Sequence, residues 1–513
     1  MLAKLKTYSL VGIQALPVDV EVDVSGGEES STVIVGLPEG AVRESTHRVA
    51  RALANSGFYY PVDRVVINLG PAELPKQAAS FDLPISLGLM AATGQIELDR
   101  MRRYAVVGEL SLEGQARPVR GALSMAIAAA RQEGVSGLVV PAANGWEAAV
   151  VEDIEVIPVG SLAEAAALFG ETLRVEPLEC SLNQVFQKQA AGELDFVDVR
   201  GQEMAKRAVT IAASGAHNLL MLGPPGSGKT MLAKRMPSVL PPLSAAESLE
   251  TTRIYSAVGK LGEDQSLVTE RPFRSPHHTI SDVGLVGGGR IPMPGEISLA
   301  HNGVLFMDEL PEFSRRTLEV MRQPLEDGQV TISRALQSTD FPADFMLVAA
   351  LNPCPCGYRT DPRRVCRCTP PQIERYMAKV SGPLLDRIDI HIEVPAVKYD
   401  QLSSSIEGIG SRSMRELVEH ARGIQRERFM GQPTRFNAQM TSRQTRKFCR
   451  LDSEGRQRLR RSLDQLGLSA RAYDKILRLA RTIADVEEEV EVLPAHVSEA
   501  INYRTLDRQG GCQ

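Results

Sequence analysis

Apolar residues recur along this chain in three rhythms, and each predicts a different kind of element. Val18, Val20, Val22 and Val24 alternate with polar residues, the period-two pattern of a half-buried strand. With Met1 to Tyr8 leading in, this predicts a first strand, not a signal peptide. Residues 1–170 then mix short strands (Thr32–Val35, Val65–Asn68, Tyr104–Val107, Gly137–Val140) with helical stretches (Ala41–Ser56, Phe81–Thr93, Ala122–Gly134, Ser161–Phe169), the mark of an α/β domain. Residues 171–192 carry no period and read as a linker. Over 193–396 the pattern becomes strand–loop–helix units whose strands are continuous apolar runs, as buried parallel strands require. From there to residue 505 helical periodicity dominates, and 506–513 form a polar tail.

Composition narrows the class. Of 513 residues, 43% are hydrophobic and 24% charged, which excludes wholesale disorder and leaves room for about three domains. No apolar run is long enough for a membrane span. Seven cysteines with no export signal imply reduced thiols in the cytoplasm. The net charge of -5 excludes a bulk polycation, but the charge is uneven. Residues 1–180 hold 14 basic against 23 acidic side chains, whereas 401–461 hold 14 against 6. The basic stretch fits either an anionic partner such as nucleic acid or a solvated helical face.

Gly223-Pro224-Pro225-Gly226-Ser227-Gly228-Lys229-Thr230 follows the apolar run Leu219–Leu222 and matches a phosphate-binding P-loop in full. The glycines let backbone N–H groups close around phosphate oxygens, and the following helix adds its N-terminal dipole. Lys229 is expected on the β- and γ-phosphates of ATP, and Thr230 on Mg²⁺. Gly303-Val-Leu-Phe-Met-Asp308-Glu309 is a second apolar strand, ending in two acids. Asp308 is expected to hold Mg²⁺ and Glu309 to polarise the attacking water. A third strand, Phe345 to Leu351, ends in Asn352, an amide that can hold water or the γ-phosphate without adding charge.

These motifs resemble an AAA+ ATPase, specifically the magnesium-chelatase-like group called YifB or ComM. Asp198-Val-Arg-Gly-Gln202 resembles the segment that packs on adenine. Ser381-Gly-Pro-Leu-Leu-Asp-Arg-Ile-Asp389 resembles the arginine-finger segment and places Arg387; Leu468-Ser-Ala-Arg471 resembles the second sensor and places Arg471. By spacing alone, either arginine could equally be a surface salt bridge. The resemblance implies that the finger reaches a neighbouring subunit's ATP, so that activity needs a ring, usually a homo-hexamer.

Two inserts are specific to this branch. Phe273-Arg-Ser-Pro-His277-His278-Thr279, with Gly284–Gly289 and Pro294–His301, resembles a helix-two insert. The histidines lack obvious partners and read as a polar loop. Pro324 to Arg334 reads as a hairpin turning at Asp327-Gly328, which would carry Arg334 into the pore of a ring. Cys354-x-Cys356 and Cys366-x-Cys368, nine residues apart, leave open a four-thiolate Zn²⁺ site, buried free thiols or a redox pair, the last disfavoured by a reducing cytoplasm. Arg443, Arg446, Lys447 and Arg450 have helical spacing that would put them largely on one side; Arg456, Arg458, Arg460 and Arg461 come directly after.

Residues 1–170 resemble the ribosomal-S5-like domain shared with Lon protease. Ser80 falls at the place of the nucleophile, but Leu123 stands where the catalytic lysine would be, so the resemblance implies a kept fold and lost proteolysis. The expected architecture is therefore an S5-like α/β domain, an AAA+ P-loop core and a helical lid. The resemblance implies an ATP-driven DNA translocase or helicase acting on single-stranded and branched DNA, promoting branch migration during natural transformation. A chelatase motor and an ATP-dependent protease are the alternatives.

Overall fold

Leu219–Leu222 form a strand without a single exposed side chain, because both faces of its sheet are covered. In the computed structural model the described residues are 2–26, 31–37, 40–76, 79–170, 176–181, 185–186, 194–262, 265–289, 291–334, 337–397, 408–466 and 470–504. The chain divides into two compact units, one of residues 1–189 with 244–269, the other of 190–243 with 270–513.

The second unit is built on a five-stranded sheet in the order Phe273–Arg274, Val304–Met307, Met346–Leu351, Leu219–Leu222, Ile390–Glu393, all neighbours parallel. Parallel strands bring every C-terminal end to one edge, where the following loops converge. Helix Glu203–Gly215 and helix Lys229–Val239 bury Val209, Leu232 and Met236 in the same core as Phe306, Val348 and Ile390. The later chain is helical: Ser411–Arg428, Ser442–Phe448, Ser453–Leu466, Ala470–Val486 and Pro494–Asn502. Helix Ala470–Val486 buries Ile476, Leu479, Ala480 and Ile483, the three-to-four spacing of one face. No helix among the described residues is long and apolar enough to cross a membrane.

The first unit holds a seven-stranded sheet ordered Ser31–Val35, Arg64–Gly70, Gln14–Ser25, Leu2–Val11, Tyr104–Val106, Gly137–Pro141, Glu155–Val159. Val18, Val20 and Val22 face its core, and helix Asp82–Ala92, buried along its whole length, lies in the same core. Ser244–Thr269 belongs to this unit although it comes after the P-loop helix in sequence. Its helix Ala245–Val258 opens on a Ser244/Glu247 capping box and closes at Gly259 in the left-handed region (φ 68°). There Arg253 donates to the Ile13 carbonyl at 3.1 Å, and the Gly121 N–H donates to the Ser256 carbonyl at 3.1 Å.

Several expectations need correction. The expected first strand is two, Leu2–Val11 and Gln14–Ser25, paired antiparallel around Gly12. The stretch 41–56 is two helices, Gly40–Arg43 and Ser45–Asn55, and the helix from Ala122 stops at Ala130. The hairpin exists, but Asp327-Gly328 does not turn it. Gly328 (φ 64°) instead caps helix Arg322–Asp327, and the strands Gln329–Arg334 and Gln337–Pro342 pair up to Arg334↔Gln337. A left-handed glycine serves a helix end as readily as a turn, so the dipeptide alone could not decide. Most of the expected linker 171–192 and all of the tail 506–513 lie outside the described residues.

Candidate active site

Three of the sheet's C-terminal ends carry the expected nucleotide motifs side by side. Gly223 follows Leu222, Asp308 follows Met307 and Asn352 follows Leu351. Between strand and helix, Gly226 (φ 75°) and Gly228 (φ 94°) take left-handed backbone, and a Cβ at either would meet open space, the cradle that a phosphate would fill. The Ser227 hydroxyl inside this loop is buried without a hydrogen-bond partner among the described residues. A buried donor within a glycine cradle suits a phosphate oxygen as its partner.

Lys229 is buried and points into the loop. Its ammonium donates to the Gly223 and Pro224 carbonyls at 2.7 and 3.0 Å and to Asn352 Oδ1 at 3.3 Å. Burial holds it below the ordinary lysine value, opposed by the charges of Asp308 and Glu309. The Thr230 hydroxyl donates to Asp308 Oδ2 at 2.8 Å, and the Glu309 N–H donates to Asp308 Oδ1 at 2.9 Å. A hydroxyl beside a carboxylate is a hard oxygen set that suits Mg²⁺. Glu309 itself has left-handed backbone (φ 51°), rare for a residue with a side chain and costing about 1–2 kcal/mol. The turn separates its carboxylate from that of Asp308, which is tied to Thr230.

The two expected arginines are not at this edge. Asp389 precedes strand Ile390–Glu393, whose first residue pairs with Leu219 at the opposite, N-terminal end of the sheet. Asn218 Nδ2 donates to the Arg387 carbonyl at 3.2 Å, which places Arg387 there too. Arg471 joins it, with Nη1 3.6 Å from Asp386 Oδ2. The strand between the two edges is about 10 Å long, three steps of about 3.3 Å. Arg387 is bonded to Glu326 and donates to the Pro383 carbonyl at 2.6 Å. The P-loop, Asp308 and Asn352 thus lie at one edge of the sheet, and Arg387 and Arg471 at the other.

The sequence is similar to known proteins along nearly its whole length. Residues 195–402 match the family described as magnesium chelatase, subunit ChlI; residues 20–144 match subunit ChlI of Mg-chelatase, and 408–504 its C-terminal family. The competence protein ComM of Haemophilus influenzae is 42% identical over 510 residues, covering 99% of this chain and 98% of its own. YifB of Escherichia coli, an uncharacterized protein, is 42% identical over 515 residues, covering 98% and 97%. Rv2897c of Mycobacterium tuberculosis, also uncharacterized, is 39% identical over 495 residues, covering 96% of each. The chain belongs to the ComM/YifB-type magnesium-chelatase-like family. It is thus an AAA+ protein, with the P-loop core and helical C-terminal region of that family.

The four cysteines converge. Cys354, Cys356, Cys366 and Cys368 place their sulfurs within 4.8 Å of one another, and none is in a disulfide. Sulfur separations of 3.3 Å (Cys354–Cys356) and 3.6 Å (Cys354–Cys366 and Cys356–Cys366) approach the edge of about 3.8 Å in a tetrahedral zinc–thiolate site. A backbone N–H from Tyr358 brings the Cys356 thiol down to about 6. The same loop presses on the nucleotide site: a Cβ at Gly357 would come within 2.6 Å of the Pro225 ring.

The DNA candidates lie on elements other than the three strands that carry the nucleotide motifs. Arg334 ends the first hairpin strand. Arg443, Arg446 and Lys447 are exposed on helix Ser442–Phe448, but the helix stops before Arg450, so the four do not share one helical face as expected. Among the described residues none of the four has a carboxylate within ion-pair distance, whereas Arg458 pairs with Glu454 at 2.6 Å and Arg460 with Asp464 at 4.0 Å. The next arginines are therefore partly neutralised along their own helix.

His278, expected only in a polar loop, lies beside Glu309 at the nucleotide edge. Its Nδ1 lies 3.9 Å from Glu309 Oε2, its ring is tilted against that of His277 with centroids 4.1 Å apart, and it meets Phe313 edge-on at 6.4 Å. The signal that could have found it is topological. Phe273–Arg274 runs parallel beside Val304–Met307, so the loop leaving it must arrive at the same edge as Glu309.

In the first unit Ser80 is buried and its hydroxyl has no hydrogen-bond partner among the described residues, while Leu123 is buried on helix Ala122–Ala130. Among the described residues no general base is bonded to the Ser80 hydroxyl.

Proposed function

We propose that this protein is an ATP-driven DNA translocase that works as a ring, usually of six subunits. It would promote branch migration of single-stranded and branched DNA while incoming DNA is integrated in natural transformation, in the cytoplasm. The observation that carries the reading is the two-edged sheet. Lys229, Asp308, Glu309 and Asn352 sit at one edge, Arg387 and Arg471 at the other, so no chain can complete its own site. A ring brings one subunit's arginines to the next subunit's nucleotide, where a planar permanent charge stabilises the transferring phosphoryl. Lys229 and the P-loop bind the phosphates, Asn352 orients them, and Glu309 takes the proton of the attacking water. Bound Mg²⁺ would be held by Thr230 and Asp308 and would offset phosphate charge.

The DNA part of the reading is supported by the name of the competence relative and by the hairpin that ends at Arg334. It is supported too by the basic group Arg443, Arg446, Lys447 and Arg450, which has no carboxylate partner among the described residues. The four-cysteine loop takes Zn²⁺ and braces both Asn352 and Pro225. The test is ATP-dependent unwinding of a forked or three-stranded DNA. No unwinding, with ATPase unresponsive to DNA, overturns the reading. The matching family's description favours one second reading, a motor for metal insertion into a tetrapyrrole, in which a porphyrin-bearing partner rather than DNA stimulates the ATPase.

A further inference from the structure

Behind the two arginines lies a charged group that the nucleotide chemistry does not use. Asp389 stands two residues after Arg387, and Lys475 one helical turn after Arg471. The Lys475 ammonium is 2.9 Å from Asp389 Oδ1, and both side chains are nearly enclosed, 14% and 13% exposed. The other carboxylate oxygen of Asp389 accepts from the Asn218 N–H at 3.2 Å and lies 3.5 Å from His217 Nδ1. The far nitrogen of His217 shares a 2.8 Å hydrogen bond with the Thr482 hydroxyl, on the same helix as Lys475. Burial by itself would raise the Asp389 carboxyl, but Lys475 and His217 outweigh it and hold it well below the usual carboxylate range. Arg504 adds a third tie, donating to the Ile388 carbonyl at 2.6 Å.

A buried ion pair is a poor choice if its task is only to glue a helical lid to a sheet. Desolvation consumes most of the Coulombic gain, and apolar side chains of like volume hold surfaces together as well or better. What a charge pair adds is a fixed register and direction. Here the register it fixes is between helix Ala470–Val486, which carries Arg471, and segment Ser381–Asp389, which carries Arg387. Placement matters for such groups, since a shift of about 1 Å can cost about 100-fold in rate.

We infer that Lys475 and Asp389 are positioning residues that lock Arg387 and Arg471 into one rigid group, so that both arginines address the same neighbouring nucleotide together. This rests on the reading of the two arginines as acting between subunits. The pair touches no substrate; it acts through the arginines, and its loss should lower turnover rather than ATP binding, because the P-loop lies at the other edge of the sheet.

The test uses full-length protein. Lys475→Met alone would strand a buried carboxylate and risks unfolding, so the working variant is Lys475→Met with Asp389→Asn, which removes both charges at nearly constant volume. The double variant should fold and assemble, keep KM for ATP within about twofold and lose about tenfold or more in kcat. Mixed with Lys229→Ala subunits, which have intact arginines but a dead P-loop, it should regain activity above either protein alone. Arg387→Ala mixed with Lys229→Ala is the control for the reading beneath. If that control recovers but the double variant turns over ATP at the wild-type rate, or does not recover on mixing, the positioning role is overturned. If the control itself fails with rings intact, action between subunits is overturned, and this proposal falls with it.

Discussion

The Thr230 hydroxyl reaches across 2.8 Å to the Asp308 carboxylate, joining the end of the P-loop to the end of the acidic strand. In the proposed reading Asp308 holds the metal beside Thr230, and the next residue, Glu309, acts on the water. Glu309 should therefore fail differently from Lys229. Lys229→Ala removes a phosphate contact and should abolish measurable nucleotide binding and hydrolysis. Glu309→Gln should bind ATP normally yet hydrolyse it about 100-fold more slowly, trapping nucleotide and favouring rings. Nucleotide titration alongside phosphate release checks both, and wild-type turnover in Glu309→Gln would remove that residue from its role.

Arg387→Ala should lose about 1000-fold in kcat, the scale of an arginine supplied in trans. Arg471→Ala, reaching the same nucleotide, should also lower kcat, with nucleotide affinity of the isolated subunit unchanged. Equilibrium binding to monomer and steady-state ATPase of the ring separate the two effects.

Zinc should be present at about one ion per chain in protein purified without chelator. Cys366→Ser with Cys368→Ser should release it. Because Gly357 abuts Pro225, the loss should also slow ATP hydrolysis, although no cysteine belongs to the P-loop. Metal analysis and ATPase on the same preparation check this; a zinc-free wild type removes the metal.

Neutralising Arg443, Arg446, Lys447 and Arg450 should weaken DNA binding with little change in basal ATPase. If all four contact duplex phosphates, the slope of log affinity against log salt should flatten by about 3 to 4. An unchanged slope makes the cluster a solvated lid surface. Replacing Arg334 should instead leave DNA bound but reduce unwinding per ATP consumed.

Local chemistry was legible in the sequence, and long-range placement was not. The P-loop, Asp308, Glu309 and Asn352 could be read because strand, loop and donor set succeed one another within a few residues. The cysteine cluster was half legible: the pairing of C-x-C motifs is visible, their convergence to within 4.8 Å is not. Asp327-Gly328 misled because a helix cap and a hairpin turn use the same backbone. Arg450 misled because side-chain spacing does not say where a helix stops. That Arg387 and Arg471 share one edge comes from the strand order, which no local pattern encodes. His278 and Lys475 were hidden for the same reason.

Membership of Ser244–Thr269 in the first unit changes what a truncation means. The chain enters that unit twice, once at its beginning and once after the P-loop helix. Deleting residues 1–189 would not release a self-sufficient motor. It would leave helix Ala245–Val258 without the partners of its buried Ile254 and Ala257, and Arg253 without the Ile13 carbonyl, inside the ATPase sequence itself. Poor solubility or low activity of such a fragment would report this orphaned helix, not whether the first unit takes part in catalysis. A fair excision removes both passages and rejoins Leu243 to Glu270.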